Sequence, residues 1–155
     1  MSEIIINEMT QDMNTIVQIG IVVPNMDEAK RGMRDVFGLE PDSESVNVYK
    51  DVMYRGRRKD APVKVAFYNI FNVQLEFLVP FGDEDTVWSD YLNLGQYGLH
   101  HIRFDVVDND VLTEKFAKRG IERWMEGDSL VSPGKKFTYY DTLSKLGFLI
   151  EAVTK

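Results

Sequence analysis

An α+β fold of two tandem βαβββ modules is what this 155-residue sequence predicts. Three observations carry the prediction. The stretches IVQIGIVVPNMDEAKRGMRDVFGLEPD and LHHIRFDVVDNDVLTEKFAKRGIER share one layout of strand, capping residue, helix and closing glycine. Each is followed by three strand-like segments separated by polar or Gly/Pro-containing turns. Polar residues also interrupt the apolar strands at equivalent places in the two halves.

Residues 1–14 read as an N-terminal extension, MSEIIINEMTQDMN, without the basic-then-apolar layout of a secretory signal. The first module, 15–80, opens with an apolar strand from Ile16 to Val23. Asn25 then suits a helix N-cap, with Glu28 placed as in a capping box. Ala29, Met33 and Val36 give that helix an apolar stripe, and Gly38 closes it. Strands follow at Val46 to Tyr54, Val63 to Tyr68 and Val73 to Val79, with GRRKDAP as the first turn. Residues 81–97 form a linker with a short helix around Thr86 to Leu94. The second module, 98–155, begins with a strand from Leu99 to Val106 and has Asp108 as helix cap. Its helix carries Val111, Leu112 and Phe116 and stops at Gly120. Trp124 to Leu130, Phe137 to Asp141 and Phe148 to Val153 are its later strands, joined by turns at SPGKK and LSKLG.

The formal net charge of −7 argues against non-specific binding to nucleic acid or to anionic lipid. No apolar run approaches the length of a membrane span. The chain contains no cysteine, which excludes disulfides, thiolate metal sites and a cysteine nucleophile, and fits a reducing cytoplasm. One cluster runs against the acidic trend: Arg55, Arg57, Arg58, Lys59 and Lys64. It reads either as a solvated hairpin tip or as a docking patch for an anionic, phosphorylated ligand, which Arg57 and Arg58 would grip.

Strand alternation selects a second set of residues. Val17, Ile19, Ile21 and Val23 form the row that packs under the first helix, so Gln18 points the other way. His100, Ile102, Phe104 and Val106 form the matching row in the second half. His100 is therefore read as structural, and His101 as the partner of Gln18. Adjacent strand residues face opposite sides, so the only two histidines of the chain should not share one task. In VQLEFLV and FLIEAV the same alternation sets Glu76 and Glu151 on the face away from the helices. A carboxylate inside an apolar strand costs several kcal/mol to bury unpaired. A divalent cation offsets two. Gln18, Glu76, His101 and Glu151 together make a mixed N/O donor set suited to Zn, Co, Mn or Ni. Arg103, two residues past His101, shares the same face.

From about Ile16 to Thr154 the chain resembles the vicinal oxygen chelate (glyoxalase/bleomycin resistance/dioxygenase) superfamily. VPFGDEDTVWSDYLNLGQYGLHHIRFDVVD and DTLSKLGFLIEAVTK resemble the methylmalonyl-CoA epimerases most, and IGIVVPNMDEAKRGMRDVFGLEP the opening module of the superfamily at large. The resemblance implies a curved mixed sheet around a central metal cleft, a homodimer and an acyl-CoA substrate. It also implies that His101 is a ligand and that Glu151 is ligand and acid/base at once. Two departures stand out. Gln18 and Glu76 replace the epimerases' usual His and Gln, giving a donor order like that of glyoxalase I. The stretch PVKVAFYNI offers Lys64 and Tyr68 where the epimerases carry a further Glu.

The resulting expectation is a cytoplasmic, metal-dependent isomerase or lyase that removes a proton next to a carbonyl through an enolate. Glu151 would be the base, Glu76 the second candidate, and Arg103 a contact for a substrate carboxylate. Tyr68, Tyr139 and Tyr140 are candidate proton donors. A glyoxalase I-like lyase, thiol transfer to an antibiotic, and a metal-free small-molecule binding protein are the alternatives.

Overall fold

A computed structural model describes residues 7–130 and 132–155. The apolar triplet Ile4–Ile6 of the expected extension lies outside these residues. The order βαβββ occurs twice. β1 (Ile16–Val22), α1 (Met26–Phe37), β2 (Ser43–Tyr54), β3 (Arg57–Ile70) and β4 (Val73–Pro80) come first. α2 (Val87–Asn93) links them to β5 (Gly98–Val106), α3 (Asn109–Ala117), β6 (Arg123–Asp128), β7 (Lys136–Tyr140), the short α4 (Leu143–Leu146) and β8 (Leu149–Thr154). The eight strands close into one barrel in the order β1-β4-β3-β2-β6-β7-β8-β5. The sheet is mixed, as the α+β expectation required: β1 runs parallel to β4 and β5 to β8, and the remaining pairs are antiparallel.

Two seams join the halves and they are unequal. β1 and β5 pair from Ile16↔Phe104 to Val22↔Gly98. β2 and β6 pair at just Met53↔Glu126 and Tyr54↔Met125, with Arg55 N donating to Trp124 O at 3.0 Å beyond the end of β2. Away from those two pairs the facing edges of β2 and β6 are free of each other, and a cavity opens beside them.

Local chemistry explains the elements. The Asn25 side chain accepts the amide of Glu28 at 3.1 Å, and Gly38 ends α1 in the left-handed region at φ 67°. Thr86 and Ser89 cap α2 reciprocally, and Asp108 accepts the amides of Asp110 and Val111 at the start of α3. Asn109, buried at that same end, donates to Lys136 O, Thr138 Oγ1 and Ala152 O and accepts from Thr154 Oγ1. It ties α3 to β7 and β8.

Alternation produces three cores. Val22, Val52, Val63, Leu78, Met125 and Leu149 fill the barrel, and Val87, Trp88 and Tyr91 of α2 join that cluster. Met33 packs with Ala66, Tyr68 and Phe77 under α1, and Leu112 and Phe116 pack with Val106, Ile150 and Ala152 under α3.

Several expectations need correction. Val36 and Val111 are not part of the helical stripes; they are 73% and 48% exposed, and Met33, Leu112 and Phe116 carry the packing. GRRKDAP is not a turn. Arg55 and Gly56 alone make it, with φ 48° and 76°, values that suit a two-residue hairpin. Arg57 to Asp60 accordingly lie within β3. The sixth strand ends at Asp128 rather than Leu130, and LSKLG winds one short helix closed by Gly147 at φ 81°. β2 also carries an irregularity: Tyr49 pairs with Ala61 and Val52 with Lys59, so one extra residue lies between them. Asp51, at φ 53°, takes up that extra length, which lets Tyr49 and Val52 both face inward.

Candidate metal centre

The four sequence-selected donors come from β1, β4, β5 and β8, the strands that run side by side across the longer seam. Each is buried: Gln18 3% exposed, Glu76 7%, His101 0% and Glu151 7%. Their polar atoms converge on one point. His101 Nε2 lies 3.1 Å from Glu151 Oε2, 3.4 Å from Glu76 Oε2 and 3.4 Å from Gln18 Oε1. The Glu76, His101 and Glu151 donor atoms all lie within 4.8 Å of one another.

The environment aims each donor. Gln18 Nε2 donates to Gln74 Oε1 at 2.7 Å, and Gln74 Nε2 donates to Asn69 Oδ1, which leaves Gln18 Oε1 directed at His101. Gly20 stands opposite His101 in the β1–β5 pairing, and a Cβ there would fall 1.8 Å from the imidazole Cε1. Glycine at position 20 is what admits the ring. A glycine breaking a run of β-branched strand residues is the sequence signal for such close approach, one that alternation alone misses.

His100 departs from expectation. The doublet does not split into one residue facing in and one facing away; both rings are fully buried, and their Nδ1 atoms are 2.9 Å apart. The reason is a bulge. Gly20 pairs with His101 and Ile21 with Leu99, so His100 has no partner on β1 and its side chain is re-aimed. It packs edge-on against Tyr91 of α2, not against α3, and its Nε2 meets Val87 O at 3.1 Å.

Electrostatics follow from burial. Desolvation alone would lower the His101 pKa, but the carboxylates of Glu151 and Glu76 outweigh it and hold the imidazole up at about 9. Burial pushes the Glu76 carboxyl up, against the pull of His101. Burial, with the charge of His101, holds His100 well below the usual imidazole value. Glu151 Oε2 is buried with, among the described residues, no polar partner besides the His101 ring. The donor set fits a cation. Ligands about 2.1 Å from a shared ion sit roughly 3.0–3.4 Å apart at right-angled to tetrahedral geometry, the range of the three distances to His101. An oxygen-rich set with one imidazole suits Zn, Mn, Co or Ni.

Gln18, Glu76 and Glu151 border a cavity of about 340 Å³. Tyr49, Phe67, Trp88, Phe137 and Tyr139 supply its aromatic wall, and Ser43, Ser45, Ser129 and Ser132 its hydroxyls. Arg103 also lines it, bound to Asp105 at 2.8 Å. Burial tends to lower the Arg103 pKa, and Glu151 and Asp105 more than restore it. Tyr139 accepts from Trp88 Nε1 at 3.3 Å and stacks edge-on against His101.

The remaining candidates lie elsewhere. Arg57 and Arg58 are exposed on β3 and absent from the cavity wall, with Arg58 paired to Asp51, because the tight Arg55–Gly56 turn draws them into the sheet. Lys64 faces a surface groove beside Pro24 and Val79, and Tyr68 is packed under α1, so neither lines the cavity. The inward neighbour on that strand is Phe67. Tyr140 turns away toward Thr113.

A barrel of paired βαβββ units with a carboxylate–imidazole–amide cup across its longer seam defines a class. Residues 17–139 match the Glyoxalase/Bleomycin resistance protein/Dioxygenase superfamily, and the chain belongs to it. Among solved structures, a variant of Streptomyces coelicolor methylmalonyl-CoA epimerase in complex with 2-nitronate-propionyl-CoA is similar, with a TM-score of 0.63 and 22% identity over 90% of this chain and 93% of that one. Methylmalonyl-CoA epimerase from Mycobacterium tuberculosis aligns with a TM-score of 0.62 and 17% identity, over 90% of this chain and 87% of its own. Hypothetical protein BH1468 from Bacillus halodurans C-125 does so at 0.62 and 18%, over 91% and 94%. No curated protein matches in sequence. At these identities the likeness establishes the fold. Among the described residues, no helix is long and apolar enough to cross a membrane.

Proposed function

We propose that this protein is a metal-dependent isomerase that removes and returns a proton next to a carbonyl, most like methylmalonyl-CoA epimerase. The observation that carries the reading is the convergence of three side-chain oxygens on His101 Nε2, one of them the otherwise unpartnered Glu151 Oε2. Gln18, Glu76, His101 and Glu151 hold the divalent ion. When bound, the ion supplies a Lewis acid that stabilises negative charge on the substrate's carbonyl oxygen.

The chain's own residues do the rest. Glu151 takes the α-proton, the proton passing from carbon to a carboxylate oxygen, and Glu76 is the second carboxylate at the site able to return one. Arg103 binds a substrate carboxylate at the cavity wall. The aromatic wall excludes water from the reacting carbon and strengthens the electrostatics there. The cavity is near the small end of ligand sites, which run roughly 300–1,000 Å³. It therefore takes the acyl end of a thioester and leaves the carrier at the mouth between β2 and β6.

The test has two parts. Untagged protein is assayed for bound Zn, Co, Mn and Ni, and methylmalonyl-CoA in D2O is followed by NMR for loss of its α-proton. Stoichiometric metal with exchange abolished by chelation is expected. Metal without exchange removes this substrate, and no metal removes the reading. The donor order Gln, Glu, His, Glu favours a glyoxalase I-like lyase as second reading, tested with glutathione hemithioacetal.

A further inference from the structure

We infer that His100 is a positioning residue that fixes the tautomer of His101, so that a lone pair and not an N–H of His101 Nε2 faces Gln18, Glu76 and Glu151 when a metal is bound. The inference rests on the metal-site reading above and extends it to a residue outside the four donors.

Hydrogen positions around the two rings decide the tautomer. His100 Nε2 lies 3.1 Å from the carbonyl oxygen of Val87. A carbonyl only accepts, so that nitrogen carries hydrogen. A neutral imidazole protonated at Nε2 presents a bare Nδ1. The His100 Nδ1 is 2.9 Å from the Nδ1 of His101. That gap holds one hydrogen: two would collide, and none would set two lone pairs against each other. The hydrogen therefore belongs to His101 Nδ1, so in the neutral ring that a bound ion requires, Nε2 is the bare nitrogen facing the cup. The opposite arrangement makes His100 a cation, fully buried, with one carbonyl and one ring as its only polar partners. Such isolation is costly.

The fold is built around this chain of donors. The bulge in β5 frees His100 from the β1 ladder and turns it toward His101. Val87 is the first residue of α2, and Tyr91 of that helix packs at 90° on the His100 ring while its hydroxyl donates to Leu99 O at 2.6 Å. α2 thus holds His100 through its Nε2 and its ring, and Leu99 through its carbonyl. A phenylalanine would fill the same space. Only a group that accepts from His101 and donates to Val87 completes the relay.

Nitrogen-resolved NMR of 15N-histidine-labelled, zinc-loaded protein reads the tautomer directly. His101 is expected to show a protonated Nδ1 and a metal-bound Nε2. His100→Phe keeps the ring against Tyr91 but removes the acceptor, and its zinc dissociation constant should rise about 10–100-fold. His100→Asn places a carbonyl oxygen near the lost Nδ1 and should recover most of that affinity. Should the Phe variant fail to fold, the Asn variant and the wild-type spectrum still decide. A reversed His101 tautomer, or a folded Phe variant binding zinc as wild type does, overturns the inference and leaves the metal site standing. Wild-type protein that takes up no metal overturns both.

Discussion

Gly20 on β1 and His101 on β5 stand so close across the longer seam that a methyl group on the first would overlap the ring of the second, 1.8 Å from Cε1. Both the neighbouring atoms and the strand backbone are buried, so neither side can yield without moving the sheet. Gly20→Ala should therefore displace the imidazole, lower stability by about 1–3 kcal/mol as overpacked cores do, and abolish metal uptake. Urea denaturation alongside metal analysis checks both. An alanine variant with full metal occupancy would contradict the crowding.

The two carboxylates of the cup should separate under substitution. Glu151→Gln removes both a charged donor and the assigned base, and α-proton exchange should fall by about 10²–10⁴-fold. Glu76→Gln leaves an amide oxygen beside His101 Nε2 and should retain metal and a larger share of the exchange. Equal losses in the two variants, at equal metal content, would mean that neither is specifically the base.

Metal-free protein should lose stability as pH rises. His101 is held at about 9 when folded, against an ordinary 6.5. Its contribution is complete below pH 6.5 and disappears as pH climbs through 9, an effect of roughly 3 kcal/mol. Glu76, also raised, has the same sign at lower pH, since the folded chain keeps a proton that the unfolded chain gives up above 4.5. His100 is lowered and acts oppositely, removing stability as pH falls below 6.5. Chemical denaturation of chelated protein at pH 6.5 and 9.5 measures the change. Metal affinity should move the other way and rise with pH, because binding displaces the His101 proton. A flat metal-free profile would exclude a buried imidazolium.

Asn109 is the structural counterpart. From the first turn of α3 its buried amide serves four partners, two on β7 and two on β8. Asn109→Leu strands the carbonyl of Ala152, next to Glu151, and should cost about 2–4 kcal/mol. Asn109→Asp, which keeps the acceptor for Thr154 but loses the donors, should be no better. Thermal denaturation of the pair distinguishes this from simple loss of volume.

Gln18, Glu76 and Glu151 were legible in the sequence because each interrupts an apolar run, and His101 because it stands at the place in the second module that matches Gln18 in the first. α2 was legible through Thr86 and its apolar Val87, Trp88 and Tyr91. What alternation cannot register is an extra residue. The bulges at Asp51 and His100 each change which side a chain segment faces, and they arise from pairing with distant strands, β3 and β1. Arg57 and Arg58 were misplaced for a related reason. A charge-rich segment resembles a loop until the Arg55–Gly56 turn is recognised as sufficient to reverse the chain, leaving Arg57 and Arg58 exposed at the start of β3.

The two-pair contact at Met53 and Tyr54 is the clasp of a book whose spine is β1 and β5. Gln18 and His101 sit in the binding, and the serine-lined covers meet only at one corner. The binding is held by a full ladder and the fore-edge by two residue pairs, so a load placed at the mouth falls first on the fore-edge. Variation in what the protein admits belongs at the fore-edge, and constancy of its chemistry belongs at the spine.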